Sequence, residues 1–304
     1  MKRFLPALFS VWITVFLLSS AAQAMELSLN VHTGEKYTMH IQEAFQMNML
    51  TANRTIEIKS FSDLNLHMNV LGVDKDQNAT IQFRFDSIQL ADTAPGTELA
   101  YDSVQSTPSG PYHAILTNFI GKSFTAKIDK KGHILELHGV DAILNGIMDS
   151  QPSDEQQKQA LQKIIAEELS DKALKSMLKN SLDYFPDKSI RSGDTWESKE
   201  TSIKLGPTTT TNTKKLIGEQ NGILRVEVSE NTESTPDVGS TKLKLLNANG
   251  SGSLAVNKHT GLVQSGNEVV NIDGEMEIND PQKAEKIIIP IRVTGKATWE
   301  FKKL

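Results

Sequence analysis

From Tyr37 the chain alternates apolar and polar residues. Tyr37, Met39, Ile41, Phe45, Met47 and Met49 share one parity, and Thr38, His40, Gln42, Gln46 and Asn48 the other, with Glu43 breaking the apolar set. Successive strand side chains point to opposite faces, so this spacing predicts one long, half-buried strand. Leu64, Leu66, Met68 and Val70 repeat the pattern. Ile81, Phe83 and Phe85 follow a turn at Asp74 to Asn78, and the phase slips before Ile88, where a β-bulge fits. Phe124, Ala126 and Ile128 form a further strand that turns at Asp129-Lys130-Lys131-Gly132 into Ile134, Glu136 and His138.

The period then changes. Val140, Ile143, Leu144, Ile147 and Met148 are spaced as one face of a helix. Pro152-Ser153 ends it, and Ser153 with Gln156 forms a capping box for a second helix striped by Leu161, Ile164, Ile165 and Leu169. Ser170 caps a third, with Ala173, Leu174, Met177 and Leu178 on its stripe, and Tyr184-Phe185-Pro186 closes the block.

Strand patterning returns at Trp196. Asn221-Gly222 between two apolar runs is the strongest hairpin signal in the chain. The closing run Ile287, Ile289, Ile291, Val293, Ala297, Trp299 and Phe301 contains Pro290, which predicts an edge or a bulge there. The class expected from these patterns is α+β. Two tandem antiparallel β units, residues 25–139 and 186–304, are joined by a connector of about three helices over residues 140–185.

The two halves share turn residues in the same order, which suggests an internal duplication in the form of curved sheets or half-barrels. Gly34-Glu35-Lys36-Tyr37 parallels Gly193-Asp194-Thr195-Trp196, and Asp76-Gln77-Asn78-Ala79 parallels Glu219-Gln220-Asn221-Gly222. Gly132-His133-Ile134 parallels Gly261-Leu262-Val263.

Residues 1–24 have the plan of a secretory signal. Lys2 and Arg3 precede an apolar run from Phe4 to Leu18, and Ala22-Gln23-Ala24 supplies the small–x–small site, so cleavage is expected between Ala24 and Met25. The run is shorter than a bilayer span, and export to the periplasm or the medium follows as the expectation. The net charge of −5, without basic blocks, argues against nucleic acid as a partner. The absence of cysteine excludes thiol catalysis, thiolate zinc sites and disulfides.

Chemistry is sparse. The seven histidines show no metal-ligand or catalytic spacing, and no nucleophile elbow or phosphate loop occurs. Asp74 to Asn78 lacks the glycine and terminal glutamate of a calcium loop. We therefore expect no catalytic residue, no metal and no cofactor, with a hydrolase assembled from distant segments a remote third reading. Met39, Met47, Met49 and Met68, with Phe45, are adaptable apolar side chains suited to core packing or to an apolar ligand. If the helices lie against the sheet, Ile143, Ile147, Leu161 and Ile165 would share that space and complete a candidate groove. The leading expectation is a non-catalytic envelope protein binding an apolar or amphipathic ligand. The alternative is a structural module that engages another envelope protein.

The Gly34 to Tyr37 opening, the stretch from Phe185 through Gly193-Asp194-Thr195-Trp196 and the closing alternating strand resemble an uncharacterised family of exported bacterial β-rich proteins, many of them lipoproteins. The resemblance implies a fold and a compartment and no catalytic residue. This chain departs from the lipoprotein members in having no Cys to acylate. At fold level it is loosely similar to periplasmic lipoprotein carriers.

Overall fold

The long alternating runs become long strands in the structure, a computed structural model. It describes residues 24–51, 54–105, 113, 116–149, 171–182, 185–202, 208–234, 241–279 and 286–304. The strands are β1 (Lys36–Leu50), β2 (Thr55–Val73), β3 (Ala79–Ala94), β4 (Thr97–Asp102), β5 (Ser123–Ile128) and β6 (Ile134–His138). After them come β7 (Thr195–Ser202), β8 (Thr208–Gln220), β9 (Ile223–Ser234), β10 (Thr241–Asn257), β11 (Val263–Asn279) and β12 (Lys286–Lys303). The helices are α1 (Val140–Asp149) and α2 (Asp171–Leu182).

All the strands belong to one antiparallel sheet, ordered β6-β5-β3-β2-β1-β12-β11-β10-β9-β8-β7, with β4 paired to β3. This overturns the expected α+β class with two β units around a block of about three helices. The fold is nearly all β, and among the described residues it has two helices. The two halves merge because the first strand pairs with the last, from Tyr37 opposite Lys303 to Met49 opposite Ile291. The expected second helix, with Leu161, Ile164, Ile165 and Leu169, lies outside the described residues.

Local chemistry explains several details. Asn221 and Gly222 both have positive φ (55° and 77°), as the tight β8–β9 hairpin requires. The phase slip after Phe85 is a bulge: Leu66 pairs with Phe85, while its neighbour Asn65 pairs with Ser87. Pro290 pairs with Glu275 of β11, but β1 pairing ends at Ile291, so the proline stands where β12 has lost one neighbour. The Gly34 and Gly193 turns repeat the same bonds. The His32 amide donates to Glu35 and the Arg191 amide to Asp194, each at 2.8 Å.

The sheet must curl strongly. Met25 pairs with Ile190, which leads into β7 at one edge, and the Leu29 amide donates to Lys130 in the β5–β6 turn at the other edge. A flat sheet would separate β5 from β7 by nine strand spacings, roughly 43 Å at about 4.8 Å each. The four residues from Met25 to Leu29 reach at most roughly 14 Å. Lys131 Nζ also donates to the Pro186 carbonyl at 2.7 Å, which ties the same two regions together. The sheet is therefore a trough closed at one end by residues 25–31, whose Leu27, Leu29 and Val31 are buried.

The core fills this closed end. Phe83 stacks on Phe124 with centroids 5.3 Å apart, and Phe119 meets Phe85 edge-on at 5.7 Å. Leu174, Leu178 and Leu182 of α2 and Val140 and Ile143 of α1 join the same cluster.

Candidate functional site

The concave face is traced by register. A row near the closed end runs through Phe85, Leu66, Met39 and Phe301, all buried. Met39 and Met68 are fully covered, so they stand in the core. Ile143 also packs there from α1. Phe45, Met47 and Met49 follow on the same face of β1, toward the open end, where Phe45 is 39% exposed. The side chain of Ile147 and all of Leu161 and Ile165 lie outside the described residues. The candidate set thus divides into core residues, open-end residues and residues without described positions.

Beyond the core the concave face splits laterally. On β1, β2, β11 and β12 it is apolar: Phe45, Met47, Ile58, Ile272, Ile291 and Val293 share it. Ile291 and Val293 are buried yet stand outside the main cluster, while Ile287 farther along β12 is 46% exposed. Two glycines let large rings lie flat on this surface. The Phe45 ring occupies the space a Cβ at Gly295 would need, and the Trp299 ring does the same over Gly266. On β7, β8 and β9 the same face is polar, with Ser198, Glu200, Thr210, Asn212, Glu230 and Thr232 at inward positions. Thr210 and Thr232 are hydrogen-bonded to each other at 2.9 Å.

Charge collects where the two halves meet. Lys214 is buried and donates to Ser198 Oγ at 2.7 Å. Glu268 of β11 faces Gly252 of β10, and Glu230 of β9 faces Gly250. The two carboxyls lie on either side of β10, and burial, then the neighbouring Glu230 carboxyl push Glu268 well above the ordinary carboxyl range, against the pull of Lys214. Glu268 Oε1 and Asn212 Oδ1 are buried without a hydrogen-bond partner.

The outer face is different. His40 hydrogen-bonds with Asp63 at 2.9 Å and His133 with Asp129 at 2.8 Å, so these histidines are engaged by surface carboxylates. A polar hollow of about 170 Å³ there is lined by Lys36, His67, Asn69, Gln82, Arg84 and Ser123. Its Arg84 is committed to Asp86 at 2.8 Å. Among the described residues no three His, Asp or Glu gather as metal ligands, and no helix is long and apolar enough to cross a membrane.

The sequence profile of a family of unknown function, DUF6263, matches residues 76–263, more than half of the chain. The protein belongs to DUF6263. The DUF6263 match starts in the turn ahead of β3 and ends on the first residue of β11. A search of curated proteins finds no match. Among solved structures, one of lipovitellin, described as showing lipid–protein interactions, is similar with a TM-score of 0.49 and 11% identity. That similarity covers 89% of this chain, which spans only 25% of the lipovitellin chain.

Register exposes what the sequence reading missed. Lys214, Glu230 and Glu268 break the apolar parity of their strands at inward positions, as Glu43 does on β1. That parity break was visible in each strand. Its meaning required knowing which strands lie side by side.

Proposed function

We propose that this protein is an exported, non-catalytic binder of an amphipathic molecule, held in the trough of its sheet. The observation that carries the reading is the lateral division of one concave face: an apolar half on β1, β2, β11 and β12 beside a polar half on β7, β8 and β9. An acyl or similar chain would cover Met47, Ile58 and Ile272, while its polar end would reach Ser198, Asn212 and Thr232. Burial of such a chain contributes about 0.8 kcal/mol per methylene.

The test is saturable binding of a dansyl-labelled fatty acid to the chain starting at Met25. Met47→Asp, on the apolar half, should abolish it while leaving melting cooperative. Absence of saturable binding, or equal binding by the folded variant, would overturn the reading. Export is supported by the signal-like residues 1–24. N-terminal sequencing of protein recovered outside the cytoplasm should begin at Met25, and an intact Met1 would reject cleavage.

A further inference from the structure

The concave face carries a pair of groups that binding of an amphiphile does not require. Glu230 and Glu268 sit two strands apart, on β9 and β11, with β10 between them. Side chains on next-nearest strands do not ordinarily touch, because the intervening strand's side chain stands in the way. Here the intervening positions are Gly250 and Gly252. A Cβ at Gly250 would lie 2.9 Å from Glu230 Oε2 and 3.0 Å from Val270 Cγ1, so the Glu230 carboxyl lies over the bare backbone. Glu268 approaches from the opposite side, over Gly252, so the two carboxyls share the window left by the two glycines. Two ionised carboxylates cannot donate to one another, so they can bond across this window only when one of them holds a proton.

We propose that Glu268 holds a proton and donates it to Glu230 as a latch across β10, closing the trough wall when the proton is held and loosening it when the proton is lost. With the proton in place, one carboxyl donates to the other and ties β9 to β11 above a strand that offers no side chain of its own. Without it, two negative charges face each other over Gly250 in a largely dry site. Among the described residues, the other charged groups on this face are Lys214 on β8, Glu200 on β7 and, beyond Ala297, Glu43 on β1 and Asp92 on β3. Lys214 is the one cation among them; it donates to Ser198, and its charge favours ionised Glu268 by less than burial and the carboxylates disfavour it. Burial and the neighbouring carboxylates oppose charge on Glu268, and they keep its proton bound above the pH at which an isolated glutamate ionises. The latch stands apart from the amphiphile reading and does not depend on it.

Infrared titration of the chain from Met25 tests it directly. The wild-type protein should show a protonated-carboxyl band at neutral pH that disappears as the pH rises into the alkaline range. Glu268→Gln, which supplies a permanent donor, should lack the band and lose less melting temperature than wild type over the same interval. Glu43→Gln should keep the band. A wild-type protein without the band at neutral pH, or a band unchanged in Glu268→Gln, would overturn the proposal. If Glu268→Gln does not fold, the wild-type titration decides alone.

Discussion

Gly261, in the β10–β11 turn, lies directly against the Ser28 carbonyl: a Cβ at 261 would overlap that oxygen, and the Phe185 ring closes the remaining space. Its φ of +74° also disfavours any side chain. Gly96 has a similar φ of +77° but open space around it. Gly96→Ala should therefore cost about 1–2 kcal/mol from backbone strain alone. Gly261→Ala should cost clearly more, because the closing segment must move. Urea unfolding of both variants checks the order, and equal losses would show that Ser28 does not pin the turn.

The segment from Met25 to Val31 holds the two edges of the sheet together. A chain beginning at His32 loses the Met25–Ile190 pairing, the Leu29–Lys130 bond and the buried Leu27, Leu29 and Val31. We expect that truncation to lose about 5 kcal/mol or more, since each fully buried aliphatic side chain contributes about 1.5–3 kcal/mol. Thermal melting of the two chains side by side measures it. An unchanged midpoint would mean that the trough keeps its curl without the segment.

Phe124 and Phe45 separate core from trough. Phe124 is almost fully buried and stacked on Phe83, so Phe124→Ala should destabilise by about 3–5 kcal/mol. Phe45 is 39% exposed over Gly295, and Phe45→Ala should cost about 1 kcal/mol or less while weakening amphiphile binding. A large stability loss at Phe45 with unchanged binding would assign that ring to packing alone.

Glu35 gives the opposite pH response to the glutamate pair. Burial would raise it, but hydrogen bonds from Lys303, the His32 amide and Tyr37 outweigh that and hold it at about 2. A carboxyl lowered on folding adds stability that is present above its unfolded value and is lost as pH falls from its ordinary value near 4.5 toward about 2. Acid titration of the melting temperature should show that loss, and Glu35→Gln should flatten it. A profile identical in both proteins would show that Glu35 is not the group responsible.

Strand content was legible because alternation is a local property. β1 and β12 follow directly from parity at Tyr37 to Met49 and Ile287 to Phe301, and the Asn221-Gly222 turn follows from the need for two positive φ values. The class was misread because the apolar stripes between 140 and 185 suggest a block of about three helices dividing two β units, whereas the strands on either side run on as one sheet. The two described helices place Val140, Ile143, Leu174 and Leu178 in that sheet's core cluster. Pairing between Tyr37 and Lys303 joins residues at opposite ends of the chain, and no pattern within either strand encodes it. The same limit hid the polar half of the trough. A lysine at 214 and a glutamate at 268 look like interruptions until β8 and β11 are placed on one wall. The alternation of Leu27, Leu29 and Val31 was present in the sequence, but only the bonds from the Leu29 amide to Lys130 and from the Asn30 amide to Thr260 show that this segment closes the trough.

The seam between β1 and β12 sets when this protein can finish folding. Hairpins such as β8–β9 form as soon as their residues leave the ribosome, but β1 waits for a neighbour made more than two hundred residues later. Until then its apolar parity is an open edge available to any passing strand. Completion therefore waits for β12, and the interval before that strand emerges is when a holdase chaperone would matter most.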